Sequence, residues 1–192
     1  MRARPAGTND GSMTSAQTSG PPLGLPSPGC YRIDPARSTV TIRTRHLFGL
    51  GPVRARISLR DGRVQVGAPP QASAVQARFA VSTFRSGNPA RDAAVLSRRL
   101  LDAEAYPSLS FTSTELVGEP GHWSLRGQLT VRGVTRPAQA RLGALEADGP
   151  TLRASAQAGI DRYDFGITAY RGLAARRLTV HLAITAELEA GS

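Results

Sequence analysis

The sequence predicts an all-β fold of antiparallel strands, about eight long and one short, closed into a barrel or packed as a sandwich, with one short helical insertion. Three observations predict it. From Tyr31 onward, apolar and polar residues alternate at every second position, the pattern of strands with one wet face. Gly, Pro and Asp separate the alternating runs, as turns require. One stretch, "SGNPARDAAVLSRRLLDAEAYP" at residues 86–107, abandons the alternation and carries the signals of a short helix.

The chain begins with residues 1–29, rich in Gly, Ser, Pro and Thr, which are expected to form a disordered tail ahead of a barrel domain over 30–192. The tail has two early arginines but no continuous apolar run, so it does not read as a signal peptide, and a cytoplasmic location is expected. No stretch approaches the roughly 18 apolar residues of a membrane-spanning helix.

A first strand is expected near residues 38–45. In "PVRARISLR", Val53, Ala55, Ile57 and Leu59 share one face while Arg54, Arg56, Ser58 and Arg60 share the other. "DGR" at 61–63 then reads as a hairpin turn, because Asp-Gly tolerates the positive φ angles of a tight turn. "AVQARFAVS" places Val75, Ala77, Phe79 and Val81 inward. After the interruption, strands are expected near 109–117 and 135–143, flanking "HWSLRGQLTVR" with Trp123, Leu125, Gly127, Leu129 and Val131 on one face. "TLRASAQAGI" groups Leu152, Ala154, Ala156, Ala158 and Ile160, and "LTVHLAITAEL" groups Leu178, Val180, Leu182, Ile184, Ala186 and Leu188.

A barrel of about eight strands either fills with side chains or holds one small ligand. Several inward positions are small: Ala138, Ala140, Ala154, Ala156 and Ala158, with Gly127 and Ser113. Small residues leave volume in a lumen, or else they sit beneath a covering helix. An apolar cavity with few polar groups would suit a lipid or isoprenoid tail.

Within the interruption, Ser86-Gly87 breaks the strand, Asn88 is suited to cap a helix and Pro89 to begin it. Asp92 in the first turn and Arg98 and Arg99 in the last are expected to complement the helix dipole. Val95, Leu96 and Leu100 form an apolar stripe able to cover one barrel end. Arg91 either ties this helix to a strand end or receives a polar head group at the cavity mouth.

Composition excludes several classes. The formal charge is +10, yet all 24 basic residues are arginines scattered singly or in pairs, as codon bias in a GC-rich genome would produce. No recognition helix or RNA-stacking motif accompanies the charge, so no nucleic-acid partner is expected. Cys30 is the only cysteine. His46, His122 and His181 stand in no metal-ligand motif, so no metal and no cofactor are expected. Neither a nucleophile elbow nor a phosphate-binding loop occurs, which argues against an enzyme.

Four motifs in order resemble the YceI-like, polyisoprenoid-binding proteins over residues 31–189. "YRIDPARSTVTIRTRHLFG" is similar to the family's opening, with Asp34, Ser38, Val40, His46 and Leu47 in the matching positions. "GNPARD" followed by "YPSLSFTST" has the family's spacing and is its most distinctive signature. "GQLTVRGVTRPAQ" at 127–139 and "GIDRYDFGI" at 159–167 complete the set. The chain departs from the family after Arg91-Asp92, where Ala93 to Ser97 and Arg99-Leu100 replace a common His-Leu and a later Asp-Phe.

The resemblance implies an elongated antiparallel eight-stranded lipocalin-like β-barrel whose lumen binds a long isoprenoid chain or quinone without catalysis. Phe79, Phe111, Leu129 and Ile184 are expected to line the lumen, with Phe165 and Ile167 near the end far from the mouth, and His46 and Arg91 are the polar candidates at the mouth. The expected partner is therefore a hydrophobic isoprenoid or quinone ligand, bound by a monomer or homodimer. The alternative is a basic surface module that docks on anionic membranes or other polyanions and holds nothing in its lumen.

Overall fold

The computed structural model describes residues 26–46 and 51–190. It shows nine strands: β1 (Gly29–Ile33), β2 (Thr39–His46), β3 (Gly51–Val66), β4 (Ala74–Arg85), β5 (Ser108–Val117), β6 (Ser124–Val131), β7 (Val134–Asp148), β8 (Thr151–Asp161) and β9 (Arg177–Leu188). One α-helix, α1 (Pro89–Leu96), lies between β4 and β5. The expected tail at 1–29 falls largely outside the described residues. Its last member, Gly29, already belongs to β1, and the Tyr31 hydroxyl donates to the Ser27 carbonyl at 2.9 Å.

The strands form a closed antiparallel barrel. Each strand from β3 to β9 pairs with its neighbour in sequence, and the ring is completed by β1 and β2. These two strands share one position in the wall. β2 pairs with Gly51–Ile57 of β3 and Thr179–Ala183 of β9, while β1 pairs further along the same strands, at Arg63–Val66 and Ala186–Leu188. Nine strands therefore make an eight-membered wall. Closure removes the sheet edges that would otherwise offer unpaired backbone groups.

The break between β1 and β2 lies in mid-wall, so its polar groups need partners. Asp34 Oδ1 accepts from the Ala36 and Arg37 amides at 2.9 and 3.3 Å. The Ser38 hydroxyl donates to the Thr185 carbonyl at 3.3 Å and accepts from the Thr185 amide at 3.1 Å. Arg37 Nη1 reaches Glu187 Oε1 at 2.6 Å. The motif residues Asp34 and Ser38 are thus wall-mending groups.

The Asp61-Gly62 hairpin does not exist: β3 runs straight through it. Asp61 and Gly62 face Arg78 and Ala77 of β4, just after an irregularity that adds one residue to β3. The Asp61 carboxylate accepts from Arg78 Nε at 2.8 Å. A Cβ at Gly62 would lie 2.7 Å from Ile33 Cδ1 and 2.8 Å from the Gln76 carbonyl oxygen. The glycine therefore serves a close crossing of strands. The real β3–β4 connection is at residues 67–73, where the Gly67 amide donates to Ser73 Oγ at 3.0 Å.

One end of the barrel, here called the upper end, receives the described connections at 86–107, 132–133 and 162–176. The lower end receives 67–73, 118–123 and 149–150. Helix α1 sits at the upper end as expected. Asn88 caps it by accepting from the Arg91 amide at 3.0 Å. Arg98 and Arg99 lie beyond its last turn and make no dipole contribution, because the chain leaves the helix at Ser97.

A latch holds α1 to the end of β4. The buried Asp92 carboxylate accepts from the Ser86 amide at 2.9 Å and from the Ser86 hydroxyl. Arg91 Nε donates to Ser86 Oγ at 2.7 Å and Nη2 to the Ser86 carbonyl at 3.0 Å. One serine is thereby gripped by both members of the Arg-Asp pair.

The small inward residues divide into two kinds. Gly127 makes no empty space: a Cβ there would lie 2.4 Å from the Thr112 carbonyl oxygen and 2.6 Å from Phe111 Cζ, because the Phe111 ring lies over it. Ser113 is spent on the wall, accepting from the Val75 amide at 2.7 Å. The alanines of β7 and β8 do leave the lumen open.

Two stability predictions follow from these contacts. Gly127→Ala forces a methyl against backbone and ring and should lower unfolding free energy by about 1–3 kcal/mol. Asp92→Ala strips the Ser86 amide of its acceptor and should cost about 1–3 kcal/mol. Urea denaturation followed by circular dichroism measures both.

Candidate ligand cavity

The lumen holds a cavity of about 540 Å³. Its walls follow from the alternation: Ile57 and Leu59 of β3, Ala77 and Phe79 of β4, Ala138 and Ala140 of β7, Ala154, Ala156 and Ala158 of β8, and Val180, Leu182 and Ile184 of β9 all face it. Tyr31, 1% exposed, and Ile33 of β1 pack into the core cluster with Leu59, Leu152 and Ala186. Their half of the shared wall position belongs to the lower barrel.

Of the expected site residues, Phe79, Arg91, Phe111, Leu129, Phe165, Ile167 and Ile184 all line this cavity. Two are placed differently from expectation. Phe165 and Ile167 pack with Val131, Leu100 and Leu101, and so belong to the upper end, beside the segment that follows α1. The reason is connectivity: β8 ends upward, so the "GIDRYDFGI" motif turns over the mouth. His46 ends β2 opposite Gly51 at the same end, and its side chain lies outside the described residues.

Val95 and Leu100 of the expected stripe cover the cavity together with Ala94 and Leu101, whereas Leu96 is not among its lining residues. Leu188 lies on the inward-facing side of β9 by alternation, but at the lower end beside Gly29 it is exposed.

The polar lining is sparse and unevenly placed. Thr44, Arg91, Arg162 and Tyr170 stand at the upper end. The remaining two are Gln139 of β7 and Ser155 of β8, and Ser155 faces the irregularity between Leu142 and Leu145 of β7, where its Oγ accepts from the Ala144 amide at 2.8 Å. The cavity surface is thus almost wholly apolar, and four of its six polar lining residues stand at the mouth.

Arg162 was not legible as a mouth residue from its motif. It is only 6% exposed, and its guanidinium is held by backbone carbonyls: Nε to Ala175 at 2.9 Å, Nη1 to Ile167 at 2.6 Å and Nη2 to Ala174 at 3.1 Å. Burial pushes its pKa below the ordinary arginine value. The group stays charged all the same, since arginine does not deprotonate in proteins. The nearby Asp161 carboxylate is taken by Arg176 at 2.6 Å. Arg162, Arg171 and Arg176 all stack on the Tyr163 ring, at 5.0, 5.2 and 5.1 Å from its centroid. These contacts fold residues 162–176 into a cover, and concentrate positive charge there.

Tyr170 and Leu173 of that cover line the cavity and yet are 37% and 50% exposed. They form a rim through which the lumen meets solvent. Arg91 lies across the mouth from them, with Nε and Nη2 committed to Ser86 and Nη1 without a protein partner among the described residues.

No curated protein matches the chain in sequence. Solved structures do share its fold. BcnA of Burkholderia cenocepacia is 18% identical, with a TM-score of 0.71 over 80% of this chain and 98% of that one. A polyisoprenoid-binding domain from Saccharophagus degradans, implicated in plant cell wall breakdown, is 11% identical, with a TM-score of 0.63 over 83% of this chain and 98% of that one. The Campylobacter jejuni YceI protein is 17% identical, with a TM-score of 0.53 over 69% of this chain and 84% of that one. The profile of the YceI-like domain matches residues 31–189, from β1 to the end of β9, and the chain belongs to the YceI-like family.

Proposed function

We propose that the barrel binds and carries an amphiphilic isoprenoid lipid or isoprenoid quinone without chemical change, its tail in the lumen and its head at the upper end. The observation that carries this reading is a long apolar cavity whose few polar lining residues gather mostly at one end. A ligand matched to it has one long apolar part and one polar terminus. The alanines of β7 and β8 supply the width, and Arg91 with Thr44 and Tyr170 supplies hydrogen-bonding groups for a carbonyl, hydroxyl or phosphate head.

The cavity of about 540 Å³ has room for a prenyl tail of several isoprene units. The binding of polyisoprenoid by the Saccharophagus degradans domain, which shares the fold, supports the same ligand class.

Filling the lumen tests this reading. Ala156→Phe and Ala140→Phe should each weaken uptake of geranylgeraniol or a short-chain ubiquinone at least about tenfold while the barrel stays folded, because both side chains line the cavity. Fluorescence titration measures uptake, and circular dichroism checks the fold. Uptake should also be insensitive to salt, as an apolar site is. Undiminished uptake by folded variants, or a steep loss with salt, would contradict lumen binding and favour the surface-docking alternative.

A further inference from the structure

We propose that the upper end of the barrel docks on the surface of a bilayer containing anionic phospholipid, so that the cavity mouth opens against the membrane. This rests on the lumen-binding reading and adds a partner to it.

Two independent features coincide at that end. Of the large apolar side chains exposed among the described residues, Tyr106, Tyr170 and Leu173 are all at the upper end, and only Leu188 is not. Tyr106 sits over Gly133 in the β6–β7 turn, whose Cβ would lie 3.1 Å from its ring. Tyr170 adopts a left-handed backbone with φ of 56°, which a bulky residue rarely does. Tyrosine rings prefer the headgroup level of a bilayer, where one end is apolar and the other wet.

Charge is polarised along the same axis. The described upper connections contain seven arginines, Arg98, Arg99, Arg132, Arg171 and Arg176 besides the buried Arg162 and the latched Arg91, against four acids, Asp92, Asp102, Glu104 and Asp164. They so carry a net positive charge even with Arg98 paired to Glu104 at 3.8 Å and Arg176 to Asp161 at 2.6 Å. The lower connections at 67–73, 118–123 and 149–150 contain no arginine and carry Glu119. An anionic surface therefore attracts one end of the barrel and orients it. The orientation matters for the ligand, because a prenyl chain that passes from bilayer to lumen at the rim formed by Tyr170 and Leu173 never crosses water.

The test is co-sedimentation of the full chain with vesicles of phosphatidylcholine alone and of phosphatidylcholine mixed with phosphatidylglycerol. The protein should bind the mixed vesicles and not the neutral ones, and lose binding as salt rises. Arg171→Glu should weaken binding by about tenfold. Leu173→Asp should do likewise, since it places a charge in the interface. Arg153→Glu, the same charge change near the lower end, should leave binding within about twofold.

Equal losses for Arg171→Glu and Arg153→Glu would overturn the proposal in favour of diffuse attraction by net charge. So would equal binding to both vesicle types, or none to either. Titration of the wild-type chain with geranylgeraniol in the absence of vesicles separates the two readings. Retained uptake with failed docking removes only the membrane partner, whereas failed uptake in the wild-type chain removes the lumen reading beneath it.

Discussion

The structure depends on a closed hydrogen-bonded wall around an interior that its own side chains do not fill. Closure requires every strand to satisfy both neighbours, and the wall achieves this with nine strands in eight positions. Once closed, the inner face must be apolar, since a polar group there would have neither water nor a partner. Large aliphatic residues would then make an ordinary core. Five alanines on β7 and β8 instead face the lumen, and the side chains across from them on β3 and β4 cannot bridge the gap. An unfilled apolar space forfeits dispersion contacts on all sides, so an apolar occupant restores what the sequence omits.

Access is confined to one end by the asymmetry of the connections. Those at the lower end are short, and β1 brings Tyr31 and Ile33 into the core beside them. The upper end carries the two long excursions, α1 with its following segment and residues 162–176. Each is pinned by an arginine to backbone or hydroxyl oxygens, Arg91 to Ser86 and Arg162 to the carbonyls of Ile167, Ala174 and Ala175. Breaking either arginine's contacts would leave a buried or half-buried charge unpaired, a costly outcome. The mouth is therefore shaped by polar contacts, even though the volume behind it is apolar.

Much of this was legible in the sequence because a period of two directly reports which side chains face inward. The inward sets of β3, β4, β8 and β9 follow from alternation alone, and so do the alanines that open the cavity. What alternation cannot report is the relation between distant segments. Asp61-Gly62 has the chemistry of a turn, but packing of Ile33 and Gln76 against Gly62 makes it the interior of a long strand. Gly127 has the small size of a lumen-opening residue, but the Phe111 ring takes the space over it. The placement of Phe165 and Ile167 at the mouth required the direction of β8, which no local pattern encodes. Residues 162–176 gave one usable signal, the loss of alternation after Asp161 with Tyr170, Gly172 and Leu173 in an otherwise arginine-rich run.

Lipid in the lumen is tested most directly by native mass spectrometry of the purified chain, followed by solvent extraction and identification of the released molecule. Lumen binding predicts one lipid per chain, with a prenyl tail and a polar head. An empty chain that also fails to acquire mass when offered geranylgeraniol or a short-chain ubiquinone would contradict it.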